Sequence, residues 1–212
     1  MKDKMKQGKQ LLYDAGKLGM QIFFSIGGLL LAAILIRFYI AQPFSISGSS
    51  MEPSFFDREY LIVNELTYQF SSPKRGDVVI FRHPTPACNE HVESGYLNRV
   101  FFQGNCSNYI KRVVAVPGET ITIRDGKVTV KPEVGAEMTL KEEYILSNIP
   151  TLGNQSVTLA KDEYFVLGDN RNPNASSDSR EWGVLPRTHI IGKALVVLLP
   201  PDDFGFVEKP SY

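Results

Sequence analysis

Two residues of this 212-residue chain stand where covalent chemistry would need them. The first is Ser50, in Gly48-Ser49-Ser50-Met51-Glu52-Pro53, just past a long apolar stretch. The second is Lys111, in Tyr109-Ile110-Lys111-Arg112-Val113-Val114-Ala115-Val116. A serine hydroxyl becomes a nucleophile only when a neighbouring base takes its proton. Lysine can be that base where apolar surroundings keep its amine neutral near pH 7. The two-residue period of a strand puts Lys111 on one face with Tyr109, Val113 and Ala115, which would supply such surroundings. The same pattern suits a lysine at a strand end that reaches out to water, so the strand alone leaves both readings open. Ser49 and Ser50 are neighbours on what reads as extended backbone and face opposite ways, so one of them can meet the lysine and the other is a hydrogen-bonding bystander.

Other chemistries find less support. His83, His91 and His189 stand beside no further motif, which leaves a Ser-His-Asp arrangement open but unsupported. Cys88 and Cys106 lack the spacing and histidine company of a zinc site, and nothing in the chain calls for a metal or a cofactor. Formal net charge is zero, so no global field points to nucleic acid.

The elements that must position Ser50 and Lys111 begin with the N-terminus. Residues 1–17 carry five lysines against Asp3 and Asp14. Residues 18–41 are almost wholly apolar and would span roughly 35 Å as a helix, enough for a bilayer. The run is longer than the apolar core of a cleavable leader, and bulky Tyr39 sits where such a leader needs a small residue. It reads as a single uncleaved anchor with a cytoplasmic basic N-terminus, everything after residue 41 lying on the far side.

Beyond Pro43 the texture is β. Phe44–Ser47, Glu59–Asn64, Asp77–Arg82, Tyr109–Val116, Glu163–Leu167 and His189–Leu199 read as strands, and Asp125-Gly126 between Thr120–Arg124 and Lys127–Lys131 is a strong hairpin signal. The expected organisation is a catalytic β domain (42–82, 108–131 and 161–200), a cysteine-bearing insertion (83–107), a peripheral subdomain (132–160) and a peripheral tail (201–212). Outside the cytoplasm a Cys88–Cys106 disulfide is the natural staple for the insertion, contributing ~3 kcal/mol through loop closure; two free thiols are the alternative. Phe55-Phe56 reads as core, with contact to a bilayer as the alternative.

Four blocks then occur in one order: Ser50-Met51-Glu52-Pro53; Lys74-Arg75-Gly76-Asp77-Val78-Val79; Tyr109-Ile110-Lys111-Arg112 with Pro117-Gly118-Glu119; and Gly168-Asp169-Asn170-Arg171 with Ser177-Asp178-Ser179-Arg180. With the anchor, they make the chain resemble the bacterial type I signal peptidases, membrane-bound Ser-Lys endopeptidases. The resemblance implies a mainly β fold: an antiparallel β-sheet or barrel catalytic domain, a smaller inserted subdomain and one N-terminal transmembrane helix. It implies Ser50 as nucleophile and Lys111 as general base, with Gly48, Ser49 and Ser176 at oxyanion or orienting positions. Asp178, Arg180 and Arg112 match a supporting ion-pair cluster, and Phe44, Ile46, Met51, Tyr109 and Ile110 match the substrate-binding surface.

The activity implied is removal of signal peptides from secretory preproteins at small-x-small sites. The partners implied are those signal peptides and the lipid bilayer, near the export translocase. The location implied is the bacterial cytoplasmic membrane, with the catalytic domain on its outer face. Two departures stand out: the Gly168–Arg180 loop is two residues longer than the family spacing, and Ser54-Phe55 replaces the commoner threonine-leucine. A self-cleaving repressor with the same dyad would need a DNA-binding domain where this chain has an anchor. A membrane-tethered domain that binds extended peptides without cutting them is the non-enzymatic alternative.

Overall fold

A computed structural model describes residues 2–39, 42–86, 88, 106–146 and 149–212. Most of the expected insertion 83–107, His91 included, lies outside the described residues. The chain forms two compact units, 1–41 and 42–212.

The first unit is helix α1 (Lys2–Tyr39). Its stretch Ala15–Ala33, with mean hydropathy 1.4, is long and apolar enough to cross a membrane. Leu18, Phe23, Phe24 and Leu29 on it are all exposed. A helix that is apolar around its circumference and packs on nothing within its own unit is compatible with membrane anchoring.

The second unit is antiparallel β throughout. Its strands are β1 (Gln42–Ser45), β2 (Tyr60–Asn64), β3 (Val78–Arg82), β4 (Asn108–Ala115), β5 (Thr120–Arg124), β6 (Lys127–Lys131), β7 (Met138–Thr139), β8 (Gln155–Thr158), β9 (Glu163–Leu167), β10 (Leu185–Pro186), β11 (Ile190–Leu199) and β12 (Gly205–Phe206). Two one-turn helices, α2 (Thr67–Phe70) and α3 (Ser179–Trp182), lie between strands. The larger sheet runs β1-β2-β11-β3-β4-β9-β10, with β12 on β11; the smaller runs β7-β6-β5-β8.

Strand β3 shows why its sequence is a continuous apolar run rather than an alternation. Val78 and Ile80 enter one core cluster, with Met51, Phe55, Leu61 and Ala194. Val79 and Phe81 enter another on the opposite face, with Val113, Tyr164 and Leu185. A strand covered on both faces has no position left for a polar side chain. The β5–β6 hairpin turns at Asp125 (φ 51°) and Gly126 (φ 76°), the left-handed pair that a two-residue turn requires.

Pairing redraws the expected boundaries. The 120–131 hairpin, expected within the catalytic sheet, pairs instead with strands from 132–160. The smaller sheet also shares one core with the larger: Ile121, Ile123 and Val130 pack with Val114 of β4 and Phe165 and Leu167 of β9. The tail is not peripheral either, since Tyr212 packs against that same core. Cys88 and Cys106 are joined by a disulfide, their Cα atoms 5.5 Å apart. It closes the end of the β3–β4 hairpin just beyond the Arg82–Asn108 pair.

Candidate active site

The nucleophile candidate is set by a turn that the local sequence builds. Gly48 takes φ +93°, a conformation that suits glycine, and lets the chain leave the β1 direction. Its backbone N–H donates to Asp57 Oδ1 at 2.7 Å. Backbone bonds from Ile46 N–H to the Glu59 carbonyl (2.8 Å) and from Arg58 N–H to the Ile46 carbonyl (3.0 Å) tie the base of the loop. Met51 and Phe55, 1% and 2% exposed, anchor the turn in the core below.

Lys111 comes from the middle of the larger sheet, where β4 pairs with β3 through Val79–Lys111. Its Nζ lies 2.7 Å from Ser50 Oγ and 2.8 Å from the Ile110 carbonyl. The residue is 4% exposed. Burial pushes the amine down to about 8, against the pull of the Asp178 and Asp169 carboxylates, which favour the ammonium. Of the two readings that the strand pattern left open, the buried one holds.

The opening beside this pair is a groove of about 480 Å³. One wall is Phe44–Ser47, the other Ser107–Lys111, the floor Leu61 and Ile80, and Ser50 and Ser177 also line it. Both walls are strand edges. Among the described residues, β1 pairs with β2 alone, and β4 pairs with β9 only from Arg112 onward, with no described strand beside Asn108–Lys111 on that side. Two unpaired edges offer backbone donors and acceptors to an extended peptide laid between them. Apolar floor residues with few charges suit small uncharged side chains.

Four of the five expected groove residues line it: Phe44, Ile46, Tyr109 and Ile110. Met51 does not; it is buried in the core cluster with Phe55, Leu61 and Val63. Gly48 and Ser49 also lie outside the groove lining. The Gly48 N–H is already donated to Asp57, and the Ser49 carbonyl accepts from Asn170 Nδ2 at 2.9 Å. Ser176 Oγ is buried against Gly168 and beside Asp178, and Ser177 is the loop serine that lines the groove.

The expected ion-pair cluster divides in two. Asp178 pairs with Arg180 (Nη2 to Oδ2, 2.8 Å) and accepts the Gly168 N–H at 3.1 Å. Burial alone would raise the Asp178 carboxyl, but Arg180 overrides it and holds it below the usual carboxylate range. Arg112 points to the other face of β4 and grips Asp169 with two nitrogens, Nε to Oδ1 at 2.9 Å and Nη2 to Oδ2 at 2.6 Å. It also donates to the Gly76 carbonyl at 3.1 Å and lies over the Tyr144 ring at 4.3 Å.

Three residues in the Gly168–Arg171 block, recognised in the sequence only as a motif, acquire definite work. Asp169 is the partner of Arg112. Asn170 donates its backbone N–H to the Ser50 carbonyl at 3.1 Å, fixing the nucleophile loop from behind. Gly168 must be glycine because a Cβ there would lie 2.4 Å from the Ser50 carbonyl oxygen and 2.2 Å from Ser176 Oγ. Pairing Arg112 with a nearby carboxylate was foreseeable; which of Asp169 and Asp178 it would choose was not.

Neither described histidine is linked to Ser50 by a hydrogen bond. His83 stacks on Tyr109 with centroids 4.6 Å apart, and His189 Nδ1 lies 3.1 Å from the Arg82 carbonyl. The basic side chain hydrogen-bonded to Ser50 is Lys111.

A family model described as "Signal peptidase, peptidase S26" matches residues 19–199. The chain is 36% identical over 189 residues to a protein named signal peptidase I from Leptolyngbya laminosa, covering 89% of this chain and 84% of that one. It is likewise 36% identical over 176 residues to a probable signal peptidase I-1 of Synechocystis, covering 83% and 80%. It is 34% identical over 170 residues to thylakoidal processing peptidase 1, chloroplastic, of Arabidopsis thaliana, covering 80% and 45%. A match running from inside the apolar helix to the end of β11 takes in the whole groove, the turn that carries Ser50 and the strand that carries Lys111, and the chain belongs to the signal peptidase family, peptidase S26.

Proposed function

We propose that this protein is a membrane-anchored serine endopeptidase that removes N-terminal signal peptides from exported preproteins, cutting after small-x-small sites by Ser-Lys catalysis. The observation that carries this is the 2.7 Å contact between a buried lysine amine and Ser50 Oγ at the floor of a two-edged groove.

The mechanism follows from that contact. With the amine neutral, the Ser50 hydroxyl donates to Lys111 Nζ. As Oγ attacks the scissile carbonyl, the proton passes to Nζ, giving an ammonium and a tetrahedral oxyanion. A backbone N–H such as that of Ser50 can stabilise the oxyanion, each such donor being worth about 3–4 kcal/mol in comparable sites. Collapse breaks the C–N bond, Lys111 returns its proton to the leaving amine, and the signal peptide is left as an ester on Ser50. Water then attacks the ester, Lys111 again taking a proton and giving it to Oγ as the ester opens. Burial supports this cycle by bringing the amine to a value where a useful fraction is neutral.

Substrate recognition would be β-addition. The peptide pairs with the edges of Phe44–Ser47 and Asn108–Lys111, and alternate side chains enter a space floored by Leu61 and Ile80. The lysine-rich N-terminus puts residues 1–17 in the cytoplasm and the catalytic unit on the outer face of the cytoplasmic membrane, near the export translocase. Exposed Tyr60, Leu199 and Phe206 on neighbouring strands, with exposed Phe204 just before β12, support contact with lipid by the catalytic unit.

The test is conversion of a preprotein with alanine at −1 and −3 by the full chain in detergent micelles. The reading expects a single cut after the −1 alanine, lost when that alanine becomes tryptophan. Tight binding of the preprotein without any cut would replace it with the peptide-binding reading.

A further inference from the structure

We propose that Val207–Tyr212 form a strap that positions the nucleophile loop, with Tyr212 as its anchoring residue; this rests on the Ser-Lys reading above. The strap lies beyond residue 199, where the family match ends.

Three separate contacts fasten it. The Val207 N–H donates to the Leu195 carbonyl at 2.8 Å, starting the strap on β11. Lys209 and Pro210 then pass over Gly76 so closely that a Cβ there would lie 3.2 Å from Lys209 Cγ and from Pro210 Cδ. Gly76 is the residue whose carbonyl accepts from Arg112 Nη1. At the far end, the Tyr212 ring meets the Tyr144 ring edge-on, centroids 6.3 Å apart. Tyr144 in turn carries the Arg112 guanidinium on its face. The strap thus touches both groups that cradle Arg112: the Gly76 backbone, whose carbonyl accepts the Nη1 hydrogen bond, and the ring beneath its guanidinium.

What Arg112 holds explains why this matters for catalysis. It grips Asp169, and the next residue, Asn170, bonds the Ser50 and Ser49 carbonyls. The chain of contact runs Tyr212, Tyr144, Arg112, Asp169, Asn170, Ser50. The Arg112 and Asp169 side chains are 3% and 0% exposed, and an ion pair so buried depends on fixed geometry. Letting the strap go loosens the guanidinium's bed, and with it the register of Asn170 behind the nucleophile. The contribution of Tyr212 is its ring. Its hydroxyl is buried beside the Tyr144 side chain.

The experiment compares the full chain with Tyr212→Phe, Tyr212→Leu and Tyr212→Ala in micelles, by preprotein kinetics and by hydrogen exchange. Small displacements at a reacting centre cost up to about 100-fold in rate. Here Tyr212→Leu and Tyr212→Ala should lose roughly tenfold in kcat with KM within about twofold, and Tyr212→Phe should match wild type. Amides of 167–172 should exchange faster in the first two variants and unchanged in the third. Tyr212→Leu keeps an apolar group against the core and serves if Tyr212→Ala does not fold. Faster exchange confined to 138–146 and 205–212, with kcat unaltered, overturns the strap's role. An inactive wild type would instead sink the Ser-Lys reading, while the exchange pattern would still decide the contact path.

Discussion

Replacing Lys111 by methionine separates the electrostatic claim from enzymology. The substitution removes the amine and keeps an unbranched side chain. In the folded protein the amine titrates near 8, against 10.5 for an ordinary lysine. The unfolded chain therefore binds this proton more tightly than the folded one, so wild-type stability rises as pH climbs from about 8 to 10.5 and is least below 8. The full gap corresponds to about 3 kcal/mol, and most of it, about 2–3 kcal/mol, is recovered between pH 7 and pH 10. Lys111→Met has no such group and should lack that gain. The assay is urea unfolding in micelles, followed by the fluorescence of Trp182, the sole tryptophan. That ring packs against Phe81 and His83 in the catalytic unit and reports on its unfolding. Besides burial, the Lys111 charge pushes His83 down, so most of the difference, though not all of it, belongs to residue 111. The stability advantage of methionine should shrink by about 2–3 kcal/mol across that range. A difference that stays flat would mean the folded protein does not depress Lys111, and a neutral lysine base would have to be abandoned.

Further outcomes follow from the same geometry. The kcat/KM profile should rise with a midpoint of about 8; Asp178→Asn, which removes the largest force holding the ammonium, should move that limb to lower pH, and a shift upward would contradict the assignment. Gly168→Ala forces a Cβ against the Ser50 carbonyl and should lower kcat by up to about 100-fold, measured on preprotein cleavage; unchanged kcat would show that the nucleophile loop tolerates displacement. Asp169→Asn leaves Arg112 buried with its charge unmatched and should cost about 3–5 kcal/mol in urea unfolding; a loss below about 1 kcal/mol would mean that Arg112 finds another partner.

What the sequence made legible was whatever depends on local periodicity. Strands β3, β4, β5, β6 and β9 sit within a residue of where alternation and turn chemistry put them, because each has a buried face or a glycine turn of its own. The apolar helix and the Ser50 and Lys111 positions were legible for a related reason: each is marked by neighbours in the chain. Less was legible where a contact joins distant residues. Met51 looked like a groove residue but is buried in the core. The choice of Asp169 over Asp178 by Arg112 depends on which face of β4 a side chain leaves, and on how β9 pairs. The tail carries too weak a pattern to announce its docking on Gly76 and Tyr144.

The measurement that tests the central claim most directly is preprotein cleavage by wild type, Ser50→Ala and Lys111→Ala, each shown to be folded. Activity in wild type that disappears in both variants, with preprotein binding retained by Ser50→Ala, is the predicted result. Cleavage that survives Lys111→Ala would contradict it and return the search for a base to His83, the histidine stacked on the groove wall at Tyr109.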